Sequence, residues 1–327
     1  MTGHRVRIYR SLDEAADFGP CALTIGNFDG AHAGHRRIFR RVAEVARENG
    51  WKASAMTFDP HPAKIVAPER APKLLTTPDQ RCALMAEEGI EQVLILPFSQ
   101  SIAQLTPEEF AREILVRRLG ARAVLVGDNF RFGHRHAGDT TMLQKLGETL
   151  VFVTEVVPAV TLRTWMISSS VVRRLIQDGS VSKAARLLER PHFVEGDVVR
   201  GLGIGSRETV PTLNMRPAGE VMPANGVYVT RTTDLEDKRS WASVTNTGYR
   251  PTFDGSSLTV ETHLLAPLTG ETPRRIRVEF LRRLRAERKF PDAASLKAQI
   301  LVDMSRAKVF FRRLDLWVAN RPASRLR

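Results

Sequence analysis

Cysteine is nearly missing from this chain. Only Cys21 and Cys82 occur among 327 residues, and neither belongs to a CxxC pair. That excludes a disulfide framework and a thiolate zinc site. Long apolar runs are missing as well, since none approaches the roughly 20 residues that a membrane span needs. The opening "MTGHRVRIYRSLDEAADFG" mixes charges throughout and lacks the apolar core of a signal peptide. There is no internal repeat, no low-complexity tract and no block of five like charges, which weakens the case for a basic nucleic-acid arm. Aromatic residues are sparse at 7%, and Tyr228, Trp241 and Tyr249 form no RNA-stacking cluster. These absences lead us to expect a cytoplasmic protein with neither a membrane nor a nucleic acid as partner.

What is present is ordinary globular material: 43% hydrophobic and 26% charged residues, in a length comfortable for two domains. The formal charge is +13. An excess of that size attracts anions such as phosphates. It also arises from solvated arginine faces, and the arginines here come in scattered pairs.

The first half alternates. "CALTIGNF", "KASAMTF", "QVLILPF", "AVLVGDNF" and "VFVTEVV" read as strands. Between them, "HRRIFRRVAEVAREN", "TPDQRCALMAEEG", "TPEEFAREILVRRLG" and "TTMLQKLGETL" read as helices. Near-continuously apolar strands alternating with helices predict a parallel sheet covered on both faces, an α/β Rossmann-like arrangement. After about Arg186 the pattern changes to short strands separated by Gly, Pro, Asp and Asn: "HFVEGDVVRG", "GVYVTRTT", "WASVTNTG", "LTVETHLL" and "RRIRVEFLRRL". A helical segment closes the chain, with Leu296, Ile300, Met304, Ala307, Phe311 and Leu314 at helix spacing. This predicts a small antiparallel β-barrel with a C-terminal helix. The expected domains are residues 1–186 and 187–327, joined within 187–197.

Parallel sheets bind ligands beyond the carboxyl ends of their strands, and three polar segments fall there. In "GNFDGAHAGH", Gly26 allows close backbone approach, and His32 and His35 straddle the first turn of a helix. Unpaired N–H groups and the helix dipole favour an anion at that place. Imidazole donors aimed at charge developing on phosphorus are worth about 2.7–4 kcal/mol each, by analogy with oxyanion holes. A bare HxxH is also compatible with two surface histidines or half a metal site. The second segment, "VGDNFRFGHRHAGD", is a polar loop with three glycines, Asp128, Asn129 and Asp139. It reads equally as a binding loop or a mobile surface loop. In the third, "ISSSVVRRLIQDGS", Ser168 to Ser170 can cap a helix, and Arg173 follows a turn later. Capping alone accounts for one serine; several hydroxyls and an arginine make a phosphate cradle.

Taken in order, "GNFDGAHAGH", "TFDPHP", "GDNFRFGHRHAGD" and "ISSSVVRRLI" resemble the adenylyltransferase half of the bacterial bifunctional riboflavin kinase/FAD synthetase family. The resemblance implies a nucleotidyltransferase domain that joins FMN to the AMP part of ATP, giving FAD and pyrophosphate. It makes His32 and His35 the catalytic pair on the ATP phosphates. Gly26, Asn27, Asp29, Ser168, Ser169 and Arg173 become nucleotide-binding. Asp128, Asn129, Phe130, Gly133, Gly138 and Asp139 become the flavin and adenine pocket. Ser170 stands where the family has threonine and keeps the hydroxyl.

In the second half, Thr212 and Asn214 alternate along an extended segment and so share one face. A hydroxyl and an amide oxygen suit Mg²⁺, which uses few protein ligands beside substrate phosphates. Glu261 sits in a strand where a carboxylate could take a proton from a substrate hydroxyl. An ordinary turn and an exposed strand glutamate are the plain alternatives. "GDVVRGLGIGSRETVPTLNM", "NGVYVT", "SVTNTGYRPTFDG" and "VETHLL" are similar to the riboflavin kinase module of the same family. That implies phosphorylation of riboflavin by MgATP, with Thr212 and Asn214 on the metal, Glu261 as general base, and Gly201, Gly203 and Gly205 in a nucleotide loop. The family's "HGxGRGRxLGFPTAN" here reads "RGLGIGSRETVPTLN", with Ile204 and Ser206 in place of two arginines. The expected function is therefore riboflavin to FMN to FAD, with riboflavin, FMN and ATP as substrates. The alternative is a monofunctional FMN adenylyltransferase with a degenerate kinase barrel.

Overall fold

The computed structural model describes residues 6–162, 165–199, 212–218, 221–252 and 255–319. The chain forms two compact units, Met1–Ser169 and Ser170–Arg327.

The first unit is built on β1 (Arg7–Tyr9), β2 (Cys21–Ile25), β3 (Lys52–Asp59), β4 (Gln92–Pro97), β5 (Ala121–Gly127) and β6 (Val153–Val157). They pair in the order β1-β4-β3-β2-β5-β6, parallel throughout. All five residues of β2 are buried, which is why it reads as an unbroken apolar run. After β2 the chain steps to β3 and β4 on one side, then crosses to β5 and β6 on the other. The switch point therefore lies between β2 and β5, and ligands bind beyond the strand ends at such a place.

Helix α1 (Ala33–Asn49) follows β2, burying Ile38, Phe39, Val42, Ala43 and Ala46 and stopping at Gly50, whose φ is 68°. Short α2 (Ala63–Val66) follows β3. Then comes α3 (Pro78–Ala86), opened by a capping box of Thr77 and Gln80. Past β4 lie α4 (Gln100–Gln104) and α5 (Pro107–Glu109), which runs on into a π-helical stretch over Phe110–Arg118. Helix α6 (Thr140–Leu150) precedes β6, and β7 (Thr161–Leu162) with β8 (Trp165–Met166) forms a small hairpin. The three-residue β1 and the hairpin carry too short a pattern to be read from sequence.

Helix α7 (Ser169–Gln177) leads into the second unit, and α8 (Val181–Leu188) comes next. The six strands are β9 (His192–Val199), β10 (Thr212–Pro217), β11 (Gly226–Asp234), β12 (Ser240–Thr252), β13 (Gly255–Leu264) and β14 (Arg275–Ala286). They close into an antiparallel barrel in the order β10-β13-β12-β11-β14-β9, with β9 pairing back onto β10. Helix α9 (Ala293–Ala319) lays Met304 and Ala307 over Val227, Val229 and Val244 on the barrel's outside. Leu296, which shares the predicted stripe, is 42% exposed.

The barrel interior is only partly hydrocarbon. Tyr228, Phe280, Val260 and Val278 fill part of it. Thr230, Thr232, Ser243, Thr245 and Thr262 fill another part, all fully buried. Their hydroxyls satisfy one another at 2.8–2.9 Å across β11, β12 and β13. Mutual pairing removes the cost of burying five hydroxyls.

His192 is buried at the start of β9, where its Nε2–H donates to the Val221 carbonyl oxygen at 2.8 Å. Burial pushes its pKa down to about 4 from the ordinary 6.5, and burial does the same to His32 in the first unit. Below pH 6.5 the unfolded chain takes up these protons while the folded chain does not. Each ring therefore costs about 1.4 kcal/mol of stability per pH unit as pH falls from 6.5 toward 4. Melting temperature is expected to be level above pH 7 and to drop steadily through this window. A flat profile down to pH 4.5 contradicts the buried, neutral assignment.

Candidate active sites

Two loops leave the adjacent strands β2 and β5 at the switch point. The β2–α1 loop is held in an unusual shape. Phe28 and Ala31 take φ of 47° and 42°, left-handed values that cost non-glycine residues of order 1–3 kcal/mol each. Gly30 has φ +77°, and a Cβ there would lie 2.7 Å from the Leu75 side chain, so only glycine fits. Asp29, 3% exposed, locks the bend: its carboxylate accepts from the Leu75 amide at 2.8 Å and the Thr76 amide at 3.2 Å. The Asn27 carbonyl oxygen accepts from Thr57 Oγ1 at 3.2 Å and from Arg81 Nη1 at 2.5 Å. Ser169, the first residue of α7, donates its hydroxyl to the Asp29 carbonyl oxygen at 2.9 Å.

His32 is the N-cap of α1, its Nδ1 accepting from the His35 amide at 3.4 Å. With Nδ1 an acceptor, the proton of the neutral ring sits on Nε2, which is then a donor. The two imidazoles stack with centroids 3.6 Å apart and 17° between planes. The edge of Phe28 meets His35 at 5.2 Å. Burial, the neighbouring His32 and the Arg81 cation hold His35 well below its ordinary pKa. Both rings are therefore neutral near pH 7 and act as hydrogen-bond donors rather than cations.

Gly34 was legible only as the glycine of HxGH. A Cβ there would press on His32 Cε1 at 3.2 Å and Nδ1 at 3.3 Å. Gly34→Ala is expected to tilt the ring by a few tenths of an ångström and slow the adenylyl transfer that the resemblance implies about 10-fold, since misplacement of that kind is costly in rate. Steady-state kcat for that step checks it, and an unchanged value rules out tight ring placement.

Beside the loop opens a cavity of about 1060 Å³. Gly26, Asn27, Phe28 and His35 line it from the β2–α1 loop, and Phe58, His61 and Pro62 from the end of β3. Asn129, Phe130 and Gly133 line it from the β5–α6 loop, and Ser169 adds a hydroxyl. Of the residues expected from sequence, this brings Gly26, Asn27, His35, Asn129, Phe130, Gly133 and Ser169 to one place. His32 lies behind His35 rather than on the cavity wall. Asp29 faces the protein, as described. Asp128 is exposed and outside the lining. Asp139 caps α6, accepting from the Met142 amide at 2.9 Å and pairing with Arg131 at 3.1 Å. Gly138 pairs with Phe132 and leaves room for its ring, thereby pinning the loop. Ser168 precedes α7, and Arg173 stands one turn along it; both are half-buried. His61, in "TFDPHP", and Arg81 are the site residues that sequence reading passed over. His61 sits in a quoted motif, whereas Arg81 looks like any solvated helix charge.

The second unit assembles a different set. Across β10 and β13, Thr212 lies opposite His263 and Asn214 opposite Glu261. Across β12 and β13, Asn246 lies opposite Glu261. Leu213, Met215, Val260 and Thr262 are buried on the inner face, so these five residues share the outer one. All five are half-buried. Thr212 Oγ1 and His263 Nδ1 are 3.0 Å apart. The register thus joins the two expected metal ligands on β10 and the expected base on β13, with Asn246 on β12 and His263 on β13 as neighbours that sequence reading missed. Oxygen donors of hydroxyl, amide and carboxylate type suit Mg²⁺, which keeps waters and needs few protein ligands. Gly201, Gly203 and Gly205 lie outside the described residues.

Comparison with known proteins agrees with this layout. Residues 14–171 match the family model of FAD synthetase, and residues 188–311 match that of riboflavin kinase. A bifunctional riboflavin kinase/FMN adenylyltransferase of Escherichia coli (strain K12) is 35% identical over 94% of this chain and 97% of its own. One from Pseudomonas fluorescens is 36% identical over 88% of this chain and 92% of its own. A crystal structure from Streptococcus pneumoniae, described as a macrolide-efflux protein, superposes with a TM-score of 0.82 at 26% identity, covering 93% of this chain and 98% of that one. Among the described residues no helix is long and apolar enough to cross a membrane. The folds, sites and relatives together define an ATP-using transferase with two catalytic domains in series, acting on small molecules. The chain belongs to the bifunctional riboflavin kinase/FMN adenylyltransferase family and carries both domains, with ATP and flavins as substrates.

Proposed function

We propose that the barrel unit transfers the γ-phosphoryl group of ATP to the ribityl hydroxyl of riboflavin, giving FMN and ADP. The sheet unit then joins FMN to the AMP part of a second ATP, giving FAD and pyrophosphate. The observation that carries the second step is the convergence of the β2 and β5 loops on one cavity at the switch point of a parallel sheet, with His35, Asn27, Asn129 and Ser169 on its walls. An FMN phosphate oxygen forms the new bond to the α-phosphorus while the bond to the pyrophosphate oxygen breaks. The charge left on pyrophosphate grows beside the neutral imidazole of His35, which the ring of His32 backs by stacking, so that the donor is placed in advance and needs no reorganisation. Gly26 and Asn27 bring backbone close to the nucleotide. Ser168, Ser169 and Arg173 contribute hydroxyls and a guanidinium to the triphosphate. Asn129, Phe130 and Gly133 form the flavin and adenine wall, which Asp128, Gly138 and Asp139 support from the loop.

In the barrel unit, Glu261 takes the proton of the ribityl hydroxyl as that oxygen attacks the γ-phosphorus. Thr212 and Asn214 hold Mg²⁺, which supplies neutralisation of charge on the transferred phosphoryl group. Gly201, Gly203 and Gly205 belong to the nucleotide loop. Two free, buried cysteines fit a reducing compartment, so we place the protein in the cytoplasm.

Incubation with riboflavin, ATP and Mg²⁺, followed by chromatography of the flavins, tests this reading. FMN is expected to rise first and FAD to follow. FAD from added FMN but none from riboflavin would refute the kinase half; FMN without FAD would refute the other.

A further inference from the structure

Arg81, on α3, is 1% exposed. Its Nη1 donates to the Asn27 carbonyl oxygen at 2.5 Å and to Thr57 Oγ1 at 2.8 Å. Its Nε and Nη2 are buried with no hydrogen-bond partner. No carboxylate forms an ion pair with it among the described residues. Asp29 and Asp59 are the acidic neighbours that favour its charge, and burial opposes them more strongly. Asp29 accepts from the Leu75 and Thr76 amides, and the hydrogen bonds of Arg81 go to Asn27 and Thr57 rather than to that carboxylate. Cys82, next along the helix, has its thiol pushed up to about 12 by burial and brings no negative charge.

A guanidinium cannot shed its proton to escape burial. A buried charge without a partner is among the costliest features a fold can keep, and such strain collects at functional sites. The shortest contact Arg81 makes is to Asn27, which lines the cavity. We propose that Arg81 is a positioning residue for adenylyl transfer, fixing Asn27 and holding a positive charge beneath the β2–α1 loop whose counter-charge is the bound nucleotide's triphosphate. This rests on the adenylyltransferase reading of the cavity. It adds that the free protein is destabilised by Arg81 and that the nucleotide offsets the cost. A buried charge is screened less than an exposed one, so charge and anion need not touch.

The role predicts opposite signs for stability and binding. In the full chain, Arg81→Met should melt at or above the wild-type temperature when no nucleotide is present. Its KM for ATP, with FMN as acceptor, should rise about 10- to 100-fold, by analogy with the loss of a partner that orients a metal ligand. Riboflavin phosphorylation by the same protein should keep its wild-type KM for ATP. Arg81→Lys, which keeps the charge but not the planar fork, should hold KM within a few-fold of wild type and lose mainly kcat. A purely structural arginine gives the reverse: Arg81→Met melts lower, or fails to fold, with KM for ATP unchanged in whatever folds. Either of those results overturns the proposal, as does Arg81→Lys losing affinity as fully as Arg81→Met. Wild-type protein that makes no FAD from FMN would overturn the underlying reading instead, before any variant is compared.

Discussion

Replacing His35 by alanine is expected to lower turnover of FMN to FAD on the order of 10³-fold, the upper range for removing one preorganised donor. His35 combines the conditions that make such a donor effective. It is neutral, walled by Phe28, stacked on His32, and placed on the cavity surface at a helix start. Its backbone amide also caps onto His32, and alanine keeps that amide, so the helix start survives. The loss should therefore fall on catalysis rather than folding. Riboflavin phosphorylation should continue at the wild-type rate, because the Glu261 cluster is built wholly from barrel strands. Progress curves with FMN and with riboflavin as the supplied flavin separate the two effects. Equal loss of both activities would mean that the variant has misfolded or that the two chemistries share a site.

The second large effect belongs to Glu261→Gln. Loss of a positioned base costs typically 10²–10⁴-fold, and that much is expected in FMN formation from riboflavin. Glutamine keeps the size and the cross-strand place between Asn214 and Asn246, so the barrel register should be unaffected. FAD formation from supplied FMN should stay within two-fold of wild type, an allowance on the order of ordinary surface-substitution effects. A glutamate that is merely a half-exposed strand residue would leave FMN formation unchanged, and the base would then have to be sought elsewhere.

Much of this was legible because the relevant signals are local. The apolar strands of the sheet and the HxGH stretch each declare themselves within about ten residues. Thr212 and Asn214 could be put on one face from alternation alone, but their meeting with Glu261 depends on β10–β13 register, which sequence does not carry. The hydroxyls of Thr230, Thr232, Ser243, Thr245 and Thr262 look like a solvated face. They are interior because they pair with one another across three strands. Asp29 and Asp139 look like ligand-facing acids, yet backbone amides occupy both. Arg81 shows the same limit from the other side. A helix arginine gives no sign of burial until α3 is seen packed beneath the β2–α1 loop. Helix α8 escaped because its eight residues merge with the change of pattern near the domain join.

On the proposed reading, two separate sets of side chains perform the two reactions. Mixing the His35→Ala and Glu261→Gln proteins with riboflavin, ATP and Mg²⁺ tests it most directly. The first variant should release FMN and the second should adenylylate it, so FAD is expected from the mixture although neither protein makes it from riboflavin alone. Accumulation of FMN with no FAD in the mixture would contradict the claim.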